Sequence, residues 1–149
     1  MLALKTGGFA VAIAFFVACS SGPETRGDPP ADTRPEPSLT MVGDTAFLAL
    51  PLGRSADNGE LSVSFDAVTE DSRCPSGAQC VWAGNAGIRL TLESADRTQV
   101  SILNSTLDPG QVSFAGYAVG YRDLTPYPAA AEPHDPDAYV ATIAVVDTR

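Results

Sequence analysis

The stretch ELSVSFDAVTED, residues 60–71, sets Leu61, Val63 and Phe65 on alternate positions with Ser62, Ser64 and Asp66 between them. Period two sends successive side chains to opposite faces, so this segment can bury one face as a strand and cannot do so as a helix. The pattern returns in AGIRLTLES, where Ala86, Ile88, Leu90 and Leu92 alternate with Gly87, Arg89, Thr91 and Glu93. A tight Ser-Ala-Asp-Arg turn joins that run to TQVSILN, which predicts a hairpin. AFLALPL, residues 46–52, reads as a strand whose Pro51 belongs at a strand end or on a sheet edge. Asn58-Gly59 is a hairpin turn, and Leu107-Asp108-Pro109-Gly110 is a second strong turn, followed by QVSF. Tyr117, Val119 and Tyr121 alternate in GYAVGYRDLTPYP, and the final run AYVATIAVVDT, β-branched on both faces, reads as a buried central strand. About seven short strands predict an all-β fold, a small antiparallel β-sandwich or barrel.

The ends of the chain are of a different kind. MLALKTGGFAVAIAFFVAC carries one lysine, Lys5, ahead of an apolar run from Gly7 to Ala18. That run is short of the roughly 20 residues a spanning helix needs, and SSGPETRGDPP follows at once, so residues 1–18 read as a signal peptide. Phe16-Val17-Ala18-Cys19 resembles the lipobox of bacterial lipoproteins, with Phe16 where that pattern prefers an aliphatic residue. The resemblance implies cleavage before Cys19, a lipid on its sulfur and on the new amino terminus, and a stable membrane anchor. Ser20 after the cysteine resembles the outer-membrane case where the host has an outer membrane. Residues 19–38, with five prolines, six charges and almost nothing apolar after Cys19, cannot bury enough surface to fold and read as a tether. Extended, such a tether reaches roughly 50 to 60 Å. Residues 39–149 remain as a single domain.

Losing residues 1–18 removes the one lysine and leaves eight arginines against eighteen carboxylates, a net charge of −10. A surface this acidic repels phosphate backbones and anionic headgroups, which argues against nucleic-acid binding and electrostatic membrane docking. The expected membrane contact is the lipid on Cys19.

With Cys19 lipidated, two of the three cysteines remain, in a compartment that permits disulfides. Cys74-Pro-Ser-Gly-Ala-Gln-Cys80 holds a proline and a glycine that can turn the chain between its thiols, so Cys74 and Cys80 are expected to pair. A zinc site would want four ligands, and the chain offers two cysteines and one distant histidine, His134. Trp82, two residues past Cys80, is expected to pack against the bridge as part of the core; exposed, it would be a binding anchor. Asp71 and Arg73 are expected to form a buried or half-buried ion pair that pins the loop.

The stretch DSRCPSGAQCVWAGNAGIRL, with the later GYAVGYRDLTPYP and the β-branched last run, resembles an uncharacterised family of bacterial secreted proteins and lipoproteins. Its pattern is Asp-Ser-Arg-Cys-Pro, a short spacer and Cys-x-Trp-x-Gly, and the match covers roughly residues 60–147. The resemblance implies a compartment and a β fold and no mechanism.

Chemistry elsewhere is sparse. His134 has no GxSxG or SxxK for company, so no catalytic residue is assigned. Asp66, Glu70 and Asp71, and separately Asp135 and Asp137, offer oxygen ligands for calcium without EF-hand spacing, and no metal or cofactor is assigned. Trp82, Tyr117, Tyr121 and Tyr127 are the candidate binding surface. The expectation is a lipid-anchored, non-enzymatic cell-envelope domain that engages a protein or envelope component. A periplasmic small-molecule or metal-ion binding protein is the alternative.

Overall fold

The computed structural model describes residues 33–130 and 135–149. Cys19, the signal peptide, most of the tether and His134 lie outside the described residues. The described residues form nine strands: β1 (Ser38–Val42), β2 (Thr45–Pro51), β3 (Ser55–Asp57), β4 (Ser62–Asp71), β5 (Ala86–Ser94), β6 (Arg97–Asn104), β7 (Gln111–Phe114), β8 (Tyr117–Thr125) and β9 (Val140–Asp147). A single 3-10 turn, Pro136–Ala138, precedes β9.

All neighbouring strands pair antiparallel, in a five-stranded sheet ordered β1-β2-β9-β8-β7 and a four-stranded sheet ordered β3-β4-β5-β6. The two sheets make a sandwich and not a closed barrel. Its core interleaves Leu61, Val63 and Phe65 of the second sheet and its leading turn, and Ile88, Leu90 and Leu92 of β5, with Leu50, Val119, Leu124 and Ile143 of the first. These are the inward positions that the period-two pattern selects, with Ser62, Ser64, Thr91 and Glu93 turned outward.

Several sequence expectations have direct counterparts. β9 is the central strand of its sheet, with Ala141, Ile143, Ala144 and Val145 buried. β5 and β6 pair from Ser94↔Arg97 inward as a hairpin. Pro51 is the last residue of β2, beyond Ala49 where the β1 ladder ends, so its missing N–H costs no bond on that side. Asn58 Oδ1 accepts from the backbone N–H of Glu60 and Leu61, at 3.0 and 2.8 Å, and shapes the β3–β4 turn. β1 and β3 are additional strands. Before β1, Arg34 donates to the Leu52 carbonyl (3.1 Å) and Glu36 pairs with Arg54 (3.5 Å), so residues assigned to the tether already touch the domain.

The register sorts the loops into two poles. At one pole lie the end of β2 and the start of β9, together with residues 72–85, 105–110 and the segment that follows Thr125. The opposite pole carries the β1–β2, β3–β4, β5–β6 and β7–β8 turns and the C-terminus.

Candidate functional site

Residues 72–85 connect β4 to β5 with almost no regular structure of their own, and three devices hold them. The first is covalent: Cys74 and Cys80 are bonded, with their Cα atoms 5.8 Å apart. The second is backbone pairing, from Cys74 N–H to the Ala83 carbonyl (3.0 Å) and from Ser76 N–H to the Pro128 carbonyl (2.8 Å). The second of these docks the disulfide loop on the segment after β8.

The third device is Arg73, which is 7% exposed. Its Nε and Nη2 donate to the two oxygens of Asp71 (2.8 and 2.7 Å), a fork-to-fork geometry that only arginine offers. Nη1 donates to the Leu124 carbonyl and Nη2 also to the Pro126 carbonyl (3.0 Å). The guanidinium carbon sits 4.7 Å from the centroid of the Tyr127 ring, within cation–π range. Tyr139 closes the cluster by donating to Asp71 Oδ2 (2.8 Å). Burial alone would raise the Asp71 carboxyl, but the bonds from Arg73 and Tyr139 and the Arg73 charge outweigh it and hold it below the usual aspartate value. Burial and the adjoining Asp71 carboxylate push the Tyr139 hydroxyl up to about 12. The expected ion pair is present, and it clamps two loops together.

On the other side of the loop, Asn85 is buried and fully engaged. Its Nδ2 donates to Glu70 (3.2 Å) and Asn104 (2.9 Å), while its Oδ1 accepts from the Thr106 N–H and from the Ser105 hydroxyl. Ser72 and Asn85 also exchange a pair of bonds, Ser72 N–H to the Asn85 carbonyl (2.8 Å) and Asn85 N–H to Ser72 Oγ (3.0 Å). Between these anchors Gly84 has φ +73°, and a Cβ there would lie 1.8 Å from the Ser72 carbonyl oxygen. Only glycine fits.

With the loop held at both ends, its middle projects. Trp82 is 80% exposed and Val81 88%, and Leu107 from the neighbouring turn is 57% exposed. This corrects the expectation that Trp82 packs in the core. The bridge closes the loop on itself rather than on a strand, so the residue two places beyond Cys80 has no sheet face to bury against. Trp82 and Leu107 border an open cleft of about 350 Å³ whose floor includes Ser72, Gly84, Asn85 and Thr106. The hydroxyls of Ser72 and Thr106 donate to Glu70 (2.7 Å) and to the Gly84 carbonyl (2.8 Å), so both hydroxyls of the floor are already engaged within the protein.

The four aromatic candidates do not form one patch. Tyr127 is exposed at the disulfide pole with Trp82, and Tyr121 is half-buried against the core in mid-strand. Tyr117 is buried at the opposite end of β8, about 26 Å along the strand from Thr125 at ordinary strand rise. There its hydroxyl donates to Glu60 (2.7 Å), and Arg149 donates to both groups and stacks on the ring. The acidic clusters are also separately engaged: Asp66 accepts from Thr91 (2.6 Å), Glu70 from Ser72 and Asn85, and Asp71 from Arg73 and Tyr139. Among the described residues no three His, Cys, Asp or Glu side chains are grouped to hold a metal ion, and no helix is long and apolar enough to cross a membrane. Asn85 and the carbonyl clamp of Arg73 escape sequence reasoning, because both partner sets are distant in sequence and no local pattern announces them.

In comparisons with known proteins, no family model, no curated protein and no solved structure matches this chain.

Proposed function

We propose that this chain is a lipid-anchored, non-enzymatic β domain of the bacterial cell envelope that binds a protein or another envelope component through its disulfide pole. The observation that carries the reading is a tryptophan left 80% exposed on a loop fixed by a bridge, a buried arginine and a buried asparagine. A large aromatic held in place loses little freedom on contact, and such residues dominate binding energy where they occur at interfaces. The spent polar groups around it favour contact over catalysis. The lipobox-like Phe16-Val17-Ala18-Cys19 supports the anchor, and the Pro-rich residues 19–38 support a standoff from the bilayer.

Acyl-chain labelling with membrane fractionation tests the anchor. The wild-type protein carries label and sediments with membranes, and Cys19→Ala loses both; a Cys19→Ala protein that stays acylated in membranes contradicts it. A second reading, a small-molecule binder, draws on the cleft beside Trp82. Trp82 is the only tryptophan, so its fluorescence reports directly on occupancy, and no response to candidate ligands or metal ions counts against that reading.

A further inference from the structure

Each sheet ends on two edge strands, β1 and β7 in one and β3 and β6 in the other. β6 is the longest of the four, with eight residues against five in β1, four in β7 and three in β3. Its ladder to β5 runs from Arg97 to Asn104 without a bulge, and two bonds at its end fix which way its backbone groups point. Ser105 N–H donates toward β5, to the Ala86 carbonyl (2.9 Å), whereas Asn104 N–H donates away from β5, to the Pro109 carbonyl (3.0 Å). Alternation along the strand then turns the N–H and C=O of Thr98, Val100 and Ile102 away from β5 as well, and no described residue bonds them. Residues 98–104 contain no charge and no proline, and Val100 and Ile102 are 61% and 46% exposed on the outer face. The devices that ordinarily guard a free edge, a lysine, a proline or a bulge, are missing from this stretch.

We infer that β6 pairs antiparallel with β6 of a second copy of this chain, about a two-fold axis at Val100, joining the two four-stranded sheets into one. The free backbone groups select both the occupant and the register. Thr98 and Ile102 lie symmetrically about Val100, and the Asn104 N–H is already taken, so this register matches every outward N–H of the three to an outward carbonyl of the other copy. It sets Val100 against Val100, and Thr98 against Ile102 on both sides of the axis, all of them β-branched cross-strand pairs. Gln99, which donates to Ser101 within one copy (2.9 Å), lies opposite Ser101 of the second. Charge agrees with this register. On β5, Glu93 stands beside Thr98 and Arg89 beside Ile102, so each such row across the joined sheet starts at Glu93 of one copy and ends at Arg89 of the other, about 14 Å apart at ordinary strand spacing. A chain this acidic repels itself over most of its surface, and in these rows no carboxylate opposes another. The disulfide poles come to lie at opposite ends of the joined sheet, so the pairing is independent of what that pole binds.

The test uses the chain from Cys19 onward with Cys19→Ser and the Cys74–Cys80 bridge intact, so that no native thiol links copies. One short strand a side makes a small interface, at the weak end of specific contacts, so sedimentation velocity is expected to show a reversible passage from monomer to dimer between micromolar and millimolar concentration. Val100→Pro removes an N–H that no strand of the fold uses, and is expected to keep the circular dichroism spectrum and lose the dimer. Val100→Lys, which leaves the backbone alone and sets like charges against each other on the axis, is expected to do the same. Val100→Cys is expected to form a disulfide-linked dimer at least about tenfold faster than Ile102→Cys or Met41→Cys, because only position 100 meets itself, with the Cα atoms ~5.5 Å apart and within bonding range. A chain that stays monomeric at millimolar concentration overturns the inference, as does a dimer that survives in either folded variant at position 100. Linkage at position 102 or 41 as fast as at position 100 overturns it too, assigning the contact to another register or to the exposed edge of β1.

Discussion

Arg73 joins an ion pair, two backbone carbonyls and an aromatic ring in one side chain, and its removal is the most informative single change. Arg73→Leu leaves Asp71 buried without its counter-charge and two carbonyls without a donor, and is expected to cost about 3 kcal/mol in urea denaturation. Arg73→Met combined with Asp71→Leu should recover part of that loss, since a buried pair is costly mainly when half of it remains. The same cluster sets a pH dependence. Asp71 has a lowered folded pKa, so its contribution is present above the ordinary aspartate value and is lost as pH falls through the lowered one. Tyr139 is shifted the other way, from 10.0 to about 12, so its contribution is complete below pH 10 and declines as pH rises toward 12. Urea midpoints measured across both ranges should show the acid arm shrink in Asp71→Asn and the alkaline arm shrink in Tyr139→Phe. Gly84→Ala forces a Cβ into the Ser72 carbonyl at a left-handed φ and is expected to cost about 2 kcal/mol or more by the same assay.

The elements differ in how far the sequence announces them. β2, β4, β5 and β9 are legible because each buries one or both faces, and burial imposes the pattern that identifies a strand. β1 is exposed along its whole length and β3 is three residues long, so neither has a buried face to write a pattern into the sequence. The cysteine pairing was legible from the count and the turn residues, and the ion pair from adjacency. The position of Trp82 was not, because whether a loop folds in or out depends on what distant residues clamp it, here Leu124, Pro126 and Asn104. The bridge closes a loop of only seven residues, which sets its chain-entropy contribution near 2 kcal/mol. Replacing Cys74 and Cys80 by serine should therefore leave the far-ultraviolet circular dichroism of the sandwich intact. It should speed hydrogen exchange at the Cys74 and Ser76 amides, which depend on the loop staying closed.

At the scale of the molecule, two poles of unlike character follow from one register. The opposite pole is ion-paired, with Arg149 bridging Glu60 and Asp147 at 2.6 and 2.8 Å, and exposes Met41 and Val42 beside the β1–β2 turn. The disulfide pole is the one that exposes the tryptophan. The central claim is that this pole is the working surface, and photo-crosslinking in intact envelopes tests it most directly. A benzophenone side chain placed at Val81, on the loop tip, or at Ala95, on the β5–β6 turn of the opposite pole, leaves the core untouched. Adducts to envelope material are predicted from position 81 and not from position 95. Equal labelling at the two positions, or labelling at 95 alone, would contradict the account.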